Sequence, residues 1–417
     1  MDRRDFLKNL FKLTAYSTAA KFAGEEDAGS ADPRDLDKRS GSGRTQVTRR
    51  GYLRTNMTLP LLGFGAMRLP QKDGAIDRPA AEAMIAYAFE HGCNYFDTAY
   101  VYPGSEEFLG SVLSKYPRES YYLTSKMPIH DLKSEGDLER IFTEQLQRTR
   151  AGYFDFYFMH WLNARHWRMA QEFHVWDFLE KQKAEGRIRR IGFSFHDEPE
   201  LLEKIASAYP WELVQIQLNY LDWEVCRSRE MYEVLTRLGL PVAVMEPLKG
   251  GTLANLTGPA RKIFTDANPS VTPASWGLRY AASLPNVLVV LSGMSSMEQL
   301  EDNIRTFTGF TPLTEVERET VADALAEYRK AGAVPCTGCR YCSPCPQGVD
   351  IPRNLALLNQ IRATGSAGHA GMVYHAMTGS ARASNCIACG VCKTRCPQQI
   401  DIPAFLKQTA AEFIKKK

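Results

Sequence analysis

Eight short apolar runs recur between residues 59 and 294, each set off by turn residues and a longer amphipathic stretch. They are LPLLGFGAM (59–67), CNYFDTA (93–99), YYLTSKM (121–127), FDFYFMH (154–160), IRRIGFSF (188–195), LVQIQLN (213–219), PVAVMEPL (241–248) and NVLVVLSGM (286–294). Runs of this length and content read as buried strands. The stretches between them carry apolar residues three and four apart, as helices do. PAAEAMIAYAFEHG (79–92) and VWDFLEKQKAEG (175–186) are the clearest, and both close on Gly, as a helix carboxyl end often does. Strands that alternate with helices must run parallel. Eight such units over about 250 residues predict an α/β fold, a (β/α)8 TIM barrel. The competing arrangement is an open, doubly wound sheet with G-x-G-x-x-G after a strand. GFGAMR at 63–68 lacks the third glycine.

Polar groups that move or hold protons stand at or just past three strand ends. Asp97 closes the second run, and Tyr102 follows five residues later. Lys126 closes the third, and His160 closes the fourth. Any one of them alone reads as a satisfied interior polar group. Four together at successive strand ends read as chemistry, because a parallel barrel builds its sites there. Protonating a developing alkoxide needs an acid, and a phenol has a pKa of about 10 unless a cation favours its phenolate. Tyr102 with Lys126, held by Asp97, has that form. His160 is placed to orient a substrate oxygen.

GCNYFDTAYVYPGSEEFLG (92–110), LTSK (123–126), MHW (159–161), GFSFH (192–196) and SGMSSMEQLEDNIR (292–305) are similar to the aldo-keto reductase family. The resemblance covers most of residues 50–310. It implies a barrel binding NADP(H) or NAD(H) in extended form, with Tyr102 as proton donor and Asp97, Lys126 and His160 completing a tetrad. It also implies a small-molecule carbonyl or alcohol as substrate. By the same resemblance Ser194, Gln215 and Gln217 lie near the nicotinamide carboxamide, and Met245 stands where the family often has a stacking aromatic. Gly293, Ser295, Gln299 and Asn303 fall to the adenosine half. No Lys or Arg lies between 292 and 304, so the choice between NADP and NAD stays open. The stretch WLNARHWRMAQEFHVW (161–176) reads either as a wall of an apolar pocket or as a helix on the barrel.

The remaining chain, 311–417, reads as a small, mainly α ferredoxin-like unit. TPLTEVERETVADALAEYRKAG (311–332) predicts a helix opened by Thr314 and Glu317 as a capping box. CTGCRYCSPCP then supplies Cys336, Cys339, Cys342 and Cys345, and CIACGVCKTRCP supplies Cys386, Cys389, Cys392 and Cys396. The second run has the C-x2-C-x2-C-x3-C-P spacing of [4Fe–4S] proteins; the first is one residue short before its last Cys. QGVDIP (347–352) and QQIDIP (398–403) follow them, an internal duplication. By analogy with two-cluster ferredoxins, one [4Fe–4S] cluster takes Cys336, Cys339, Cys342 and Cys396, and a second takes Cys386, Cys389, Cys392 and Cys345. Paired zinc sites and disulfides are the alternatives. Cys93 and Cys226 read as structural.

Residues 1–50 open with Arg3, Arg4, Phe6, Leu7 and Lys8, which resemble a twin-arginine export signal and so suggest the periplasm. Lys12 and Lys21 interrupt the apolar segment that should follow, and a basic tail in a cytoplasmic protein is the alternative. No run is long enough to span a membrane. Residues 1–50 carry 11 Lys/Arg against 8 Asp/Glu, which is the whole net charge of +3; the remainder balances at 40 against 40. Such balance is a poor footprint for nucleic acid. Hydride carries two electrons and a cluster one, and no flavin site is legible to convert between them. The clusters therefore need not exchange electrons with the nicotinamide and serve either structure or electron transfer; the alternative is an electron-transfer, redox-chain protein with an external redox partner protein, in which the barrel is not an independent carbonyl reductase.

Overall fold

The computed structural model describes residues 46–52, 55–330, 332–364 and 367–414. The twin-arginine-like start lies outside the described residues. Among the described residues, no helix is long and apolar enough to cross a membrane.

All eight apolar runs form strands, and these close into one parallel barrel in sequence order. The strands are β1 (Leu62–Gly65), β2 (Tyr95–Asp97), β3 (Tyr122–Met127), β4 (Phe156–Leu162), β5 (Ile191–Phe195), β6 (Leu213–Gln217), β7 (Val242–Met245) and β8 (Val287–Ser292). Closure is made by β8 and β1, with Val290 opposite Leu62 and Ser292 opposite Phe64. Helices such as Arg78–Glu90 and Val175–Ala184 fill the crossovers. The 161–176 stretch contains the helix Ala164–Glu172, begun by Asn163, whose side-chain oxygen accepts from the His166 amide.

A hairpin seals the amino end of the barrel. Arg49–Gly51 pairs antiparallel with Thr58–Pro60. Its Tyr52, Met57 and Leu59 join Tyr95, Tyr122 and Phe156, residues at the starts of β2, β3 and β4, in one buried cluster. Tyr52 donates its hydroxyl to the Glu212 carbonyl at 2.8 Å, and Tyr122 donates to the Thr58 carbonyl at 2.8 Å. Each buried ring contributes roughly 1.5–3 kcal/mol by burial, so the floor is solid and only the carboxyl end is left for ligands.

Gly192 in β5 has no room for a side chain: a Cβ would sit 2.6 Å from the Phe158 ring and overlap the Leu213 carbonyl. Gly192→Ala should therefore cost about 1–3 kcal/mol by overpacking. Gly136→Ala, where the nearest atom is 3.6 Å away, should be neutral or mildly stabilising. Equal urea midpoints for the two variants would refute the steric account.

The chain divides into two compact units. One runs to Pro247 and resumes over Leu278–Leu313; the other joins Leu248–Gly277 to the chain from Thr314 onward. In the second unit the helix Gly258–Ala267 packs along Glu315–Lys330. The expected capping box is present: Thr314 N–H donates to Glu317 at 2.8 Å, and Glu317 N–H to Thr314 at 3.2 Å. Helices Ile351–Thr364 and Ile402–Ile414 pack together over Val349, Ile351, Leu355, Ile400, Ile402 and Leu406. Each begins at one copy of the DIP repeat, with Asp350 and Asp401 accepting from Arg353 and Ala404 amides.

Candidate active site

The parallel register brings Asp97, Lys126, Tyr102 and His160 together at the carboxyl end. Asp97 is the last residue of β2 and Lys126 lies near the end of β3, both buried. Lys126 Nζ donates to Asp97 Oδ1 at 2.6 Å and to the Thr98 carbonyl at 2.7 Å. Gln215 Nε2, from β6 across the barrel, donates to Asp97 Oδ2 at 3.3 Å. Burial disfavours both charges, lifting the Asp97 pKa and lowering that of Lys126, while the partners oppose this by holding one another charged. The Lys126 ammonium lies 5.1 Å from the centre of the Tyr102 ring. The His160 ring stands edge-on to Tyr102, with centres 6.0 Å apart.

A bulge aims the fourth strand. The β4–β5 register shifts between Met159 and Leu162, and Trp161 takes φ +58°, unusual for a side chain of its bulk. The Trp161 amide donates to Ser194 Oγ at 2.8 Å, which fixes the kink. His160 and Trp161 thus point where a regular strand would not send them.

Three further histidines gather here that the sequence did not single out. His130 lies 6.3 Å from His160 and 5.3 Å from Trp161, ring to ring; His166 is 5.7 Å from His130, and His196 is 6.4 Å from Trp161. Nδ1 of His130 and of His160 is buried without a hydrogen-bond partner. Burial pushes all four imidazoles down, His196 to about 3 and His160 well below its ordinary value; neighbouring positive charge adds to this at His160 and His196, while Asp131 opposes it at His130 and the Trp161 carbonyl opposes it at His166. They are neutral donors and acceptors near pH 7. Because their folded pKa values are depressed, the unfolded chain binds more protons below about pH 6.5. Stability is fully present above that value and is lost as pH falls, towards 3 in the case of His196, by up to about 1.4 kcal/mol per pH unit for that imidazole. Urea midpoints at pH 7 and 5 test this; a His196→Asn variant with an undiminished pH slope would remove His196 from the account.

The other residues expected around a dinucleotide are dispersed along the same rim. Ser194, Gln215 and Gln217 are buried in β5 and β6. Gln217 donates to Asp222 at 2.6 Å. Met245 ends β7, half-buried. Buried Asn303 donates to Ser292 at 2.8 Å. Ser295 N–H donates to Gln299 Oε1 at 2.8 Å, and Ser295 Oγ donates to the Arg68 carbonyl at 2.7 Å. Arg68 itself went unnoticed in the sequence. It follows β1, lies against Gly293, where a Cβ would stand 3.1 Å from its side chain, and reaches Glu246 at 3.9 Å. The turn after β1 thus sets a cation beside the segment that follows β8.

The cysteines of the second unit line two cavities. Cys336, Cys339, Cys342 and Cys396 surround one, with Thr337, Gln398 and Leu355. Cys345, Cys386, Cys389 and Cys392 surround the other, which Cys342 also borders. Cys345, from the shortened motif, thus stands with the second run of thiols. Among the described residues no disulfide joins any two of the ten cysteines. Cys93 donates to the Leu62 carbonyl at 3.3 Å and Cys226 to Asp222 at 3.4 Å, both within the first unit.

A family model described as the aldo/keto reductase family matches residues 61–326, and one described as a 4Fe-4S dicluster domain matches 335–400. The chain is 29% identical over 256 residues to an aldo-keto reductase of Mycobacterium sp. (strain MCS), covering 60% of this chain and 82% of that one. It is 26% identical over 307 residues to L-galactose dehydrogenase of Arabidopsis thaliana, covering 68% and 94%. The holo form of aldo-keto reductase AKR11C1 from Bacillus halodurans superposes with a TM-score of 0.55 at 23% identity, over 67% of this chain and 96% of that one, a likeness of fold.

Proposed function

The chain belongs to the aldo/keto reductase family, and from that premise we propose that its barrel reduces a small-molecule carbonyl, or oxidises the corresponding alcohol, with NADP(H) or NAD(H). The observation that carries the proposal is the Asp97–Lys126–Tyr102–His160 group at the one open end of the barrel. When bound, the dinucleotide supplies or accepts the hydride. Tyr102 gives its phenolic proton to the substrate oxygen, and the Lys126 ammonium beside the ring stabilises the phenolate left behind. Asp97 keeps Lys126 charged and fixed. Neutral His160 donates a hydrogen bond to the same substrate oxygen and sets its angle. Ser194 and Gln215 fit the amide of a nicotinamide, while Arg68 with the Gly293–Ser295 backbone fits a phosphate of the dinucleotide.

The two thiol-lined cavities fit two [4Fe–4S] clusters, one on Cys336, Cys339, Cys342 and Cys396, the other on Cys345, Cys386, Cys389 and Cys392. A relay role, with electrons exchanged with a partner protein, has a specific observation in its favour. Ile387 is 63% exposed beside exposed Cys389, an apolar tip over the second cavity.

The test is made anaerobically on cluster-loaded protein mixed with NADPH, then NADH, with and without a panel of small aldehydes. The nicotinamide band and the broad iron–sulfur band are followed together. Nicotinamide oxidation that requires aldehyde and leaves the cluster band unchanged supports a self-contained reductase. Cluster bleaching by reduced nicotinamide alone supports the relay. No dinucleotide binding at all would sink the enzymatic reading.

A further inference from the structure

We propose that Lys249 is a built-in charge that tunes the Cys336–Cys339–Cys342–Cys396 site, drawing the first electron to enter the second unit onto that site. The inference rests on the two-cluster reading above.

Lys249 is fully buried, yet its backbone adopts the left-handed conformation, φ +50°, followed by Gly250 at φ +63°. A Cβ at Gly250 would overlap the backbone of Thr337, so this elbow is pressed onto the turn that joins Cys336 to Cys339. The Lys249 ammonium donates to Gln398 Oε1, and Gln398 follows Cys396 and Pro397. The Lys249–Gly250 elbow therefore meets both chain segments that bring thiols to this cavity, one through its backbone and the other through the ammonium.

The duplicated half is an internal control. In both copies an amide two residues on donates to the first sulfur at 3.4 Å, Gly338 to Cys336 and Ala388 to Cys386. In both, an exposed cation pairs with the aspartate of the following repeat, Arg340 with Asp350 and Lys393 with Asp401. Lys249 breaks this symmetry: among the described residues it is the one buried Lys or Arg of the second unit. Adding an electron makes a cluster one charge more negative. A cation held nearby in a poorly screened interior stabilises that reduced form and raises the potential of the nearer cluster.

The test is a redox titration of the full-length, cluster-loaded protein with dithionite, followed by low-temperature EPR. Cys389→Ser alters the spectrum of the other cluster and so assigns the signals. Lys249→Met should lower the potential of the Cys336 site alone, by at least ten-fold in its preference for the electron, or about 59 mV for a one-electron couple. Lys249→Arg should keep most of it. Unchanged potentials, or equal shifts at both clusters, would overturn the proposal. If Lys249→Met fails to load clusters, Gln398→Glu carries the same test, because an isosteric carboxylate cancels the charge and must lower the same potential. Iron and acid-labile sulfide analysis of the unmutated protein is done first. A result short of two clusters refutes the reading beneath the inference, whereas full loading with unmoved potentials refutes the inference alone.

Discussion

Tyr102→Phe protein is expected to lose about 10²–10⁴-fold in kcat, the range for removing a general acid, while its affinity for the dinucleotide stays the same. The substitution deletes one oxygen. The ring keeps its edge-on contact with His160 and its place beside the Lys126 ammonium, so the pocket should not rearrange. What disappears is the proton. Dinucleotide affinity by fluorescence quenching, set beside steady-state turnover of whichever aldehyde proves active, separates the two effects. Turnover within about three-fold of the unmutated protein would remove Tyr102 as the acid, since a real acid contributes far more. His160 would then be the group to examine next.

Lys126→Met carries the second large effect, and it falls on stability as well as turnover. The variant leaves the Asp97 carboxyl buried with Gln215 as its remaining side-chain hydrogen-bond donor at 3.3 Å. Breaking a buried pair from one side typically costs about 3–5 kcal/mol, because the surviving charge is uncompensated. Burial already pushes Asp97 upward, so the variant should relieve itself by taking up a proton and become relatively more stable as pH falls. Lys126→Met with Asp97→Leu should recover most of the lost stability and none of the activity. Urea midpoints for the two variants decide it. A double variant no more stable than Lys126→Met would mean that the pair is not what the interior depends on.

Most of the barrel was legible because its warrant is local. A buried parallel strand is a short continuous apolar run, and a proton-handling residue at its end is visible in one dimension. Strand lengths were less legible: the third run extends only from Tyr122, and the fourth continues to Leu162 through a bulge that periodicity does not encode. Arg68 could not be found from the sequence near 292–305, because β1 and β8 are the most distant strands in the chain and become neighbours only when the barrel closes. His130 and His196 come together with His160 for a similar reason, each at the end of a different strand. The second unit shows the same limit. Its eight cysteines announce themselves by spacing, but the membership of Leu248–Gly277 does not. An amphipathic helix such as Gly258–Ala267 has one apolar face whatever it packs against, and nothing local names Glu315–Lys330 as its partner.

That membership sets an order of assembly during synthesis. The ribosome delivers Leu248–Gly277 before β8, yet the buried Val321, Ala324 and Leu325 of its partner helix emerge only afterwards. Ala260 and Phe264 must wait for them. A nascent chain that has released all eight strands would therefore still carry an unfinished insert, and Gln398, a hydrogen-bond partner of Lys249, arrives later still. A chain stopped before Thr314 should stay open to proteases between β7 and β8, however well its strands have paired, so the residues from Thr314 onward act as the latch on a segment made long before them.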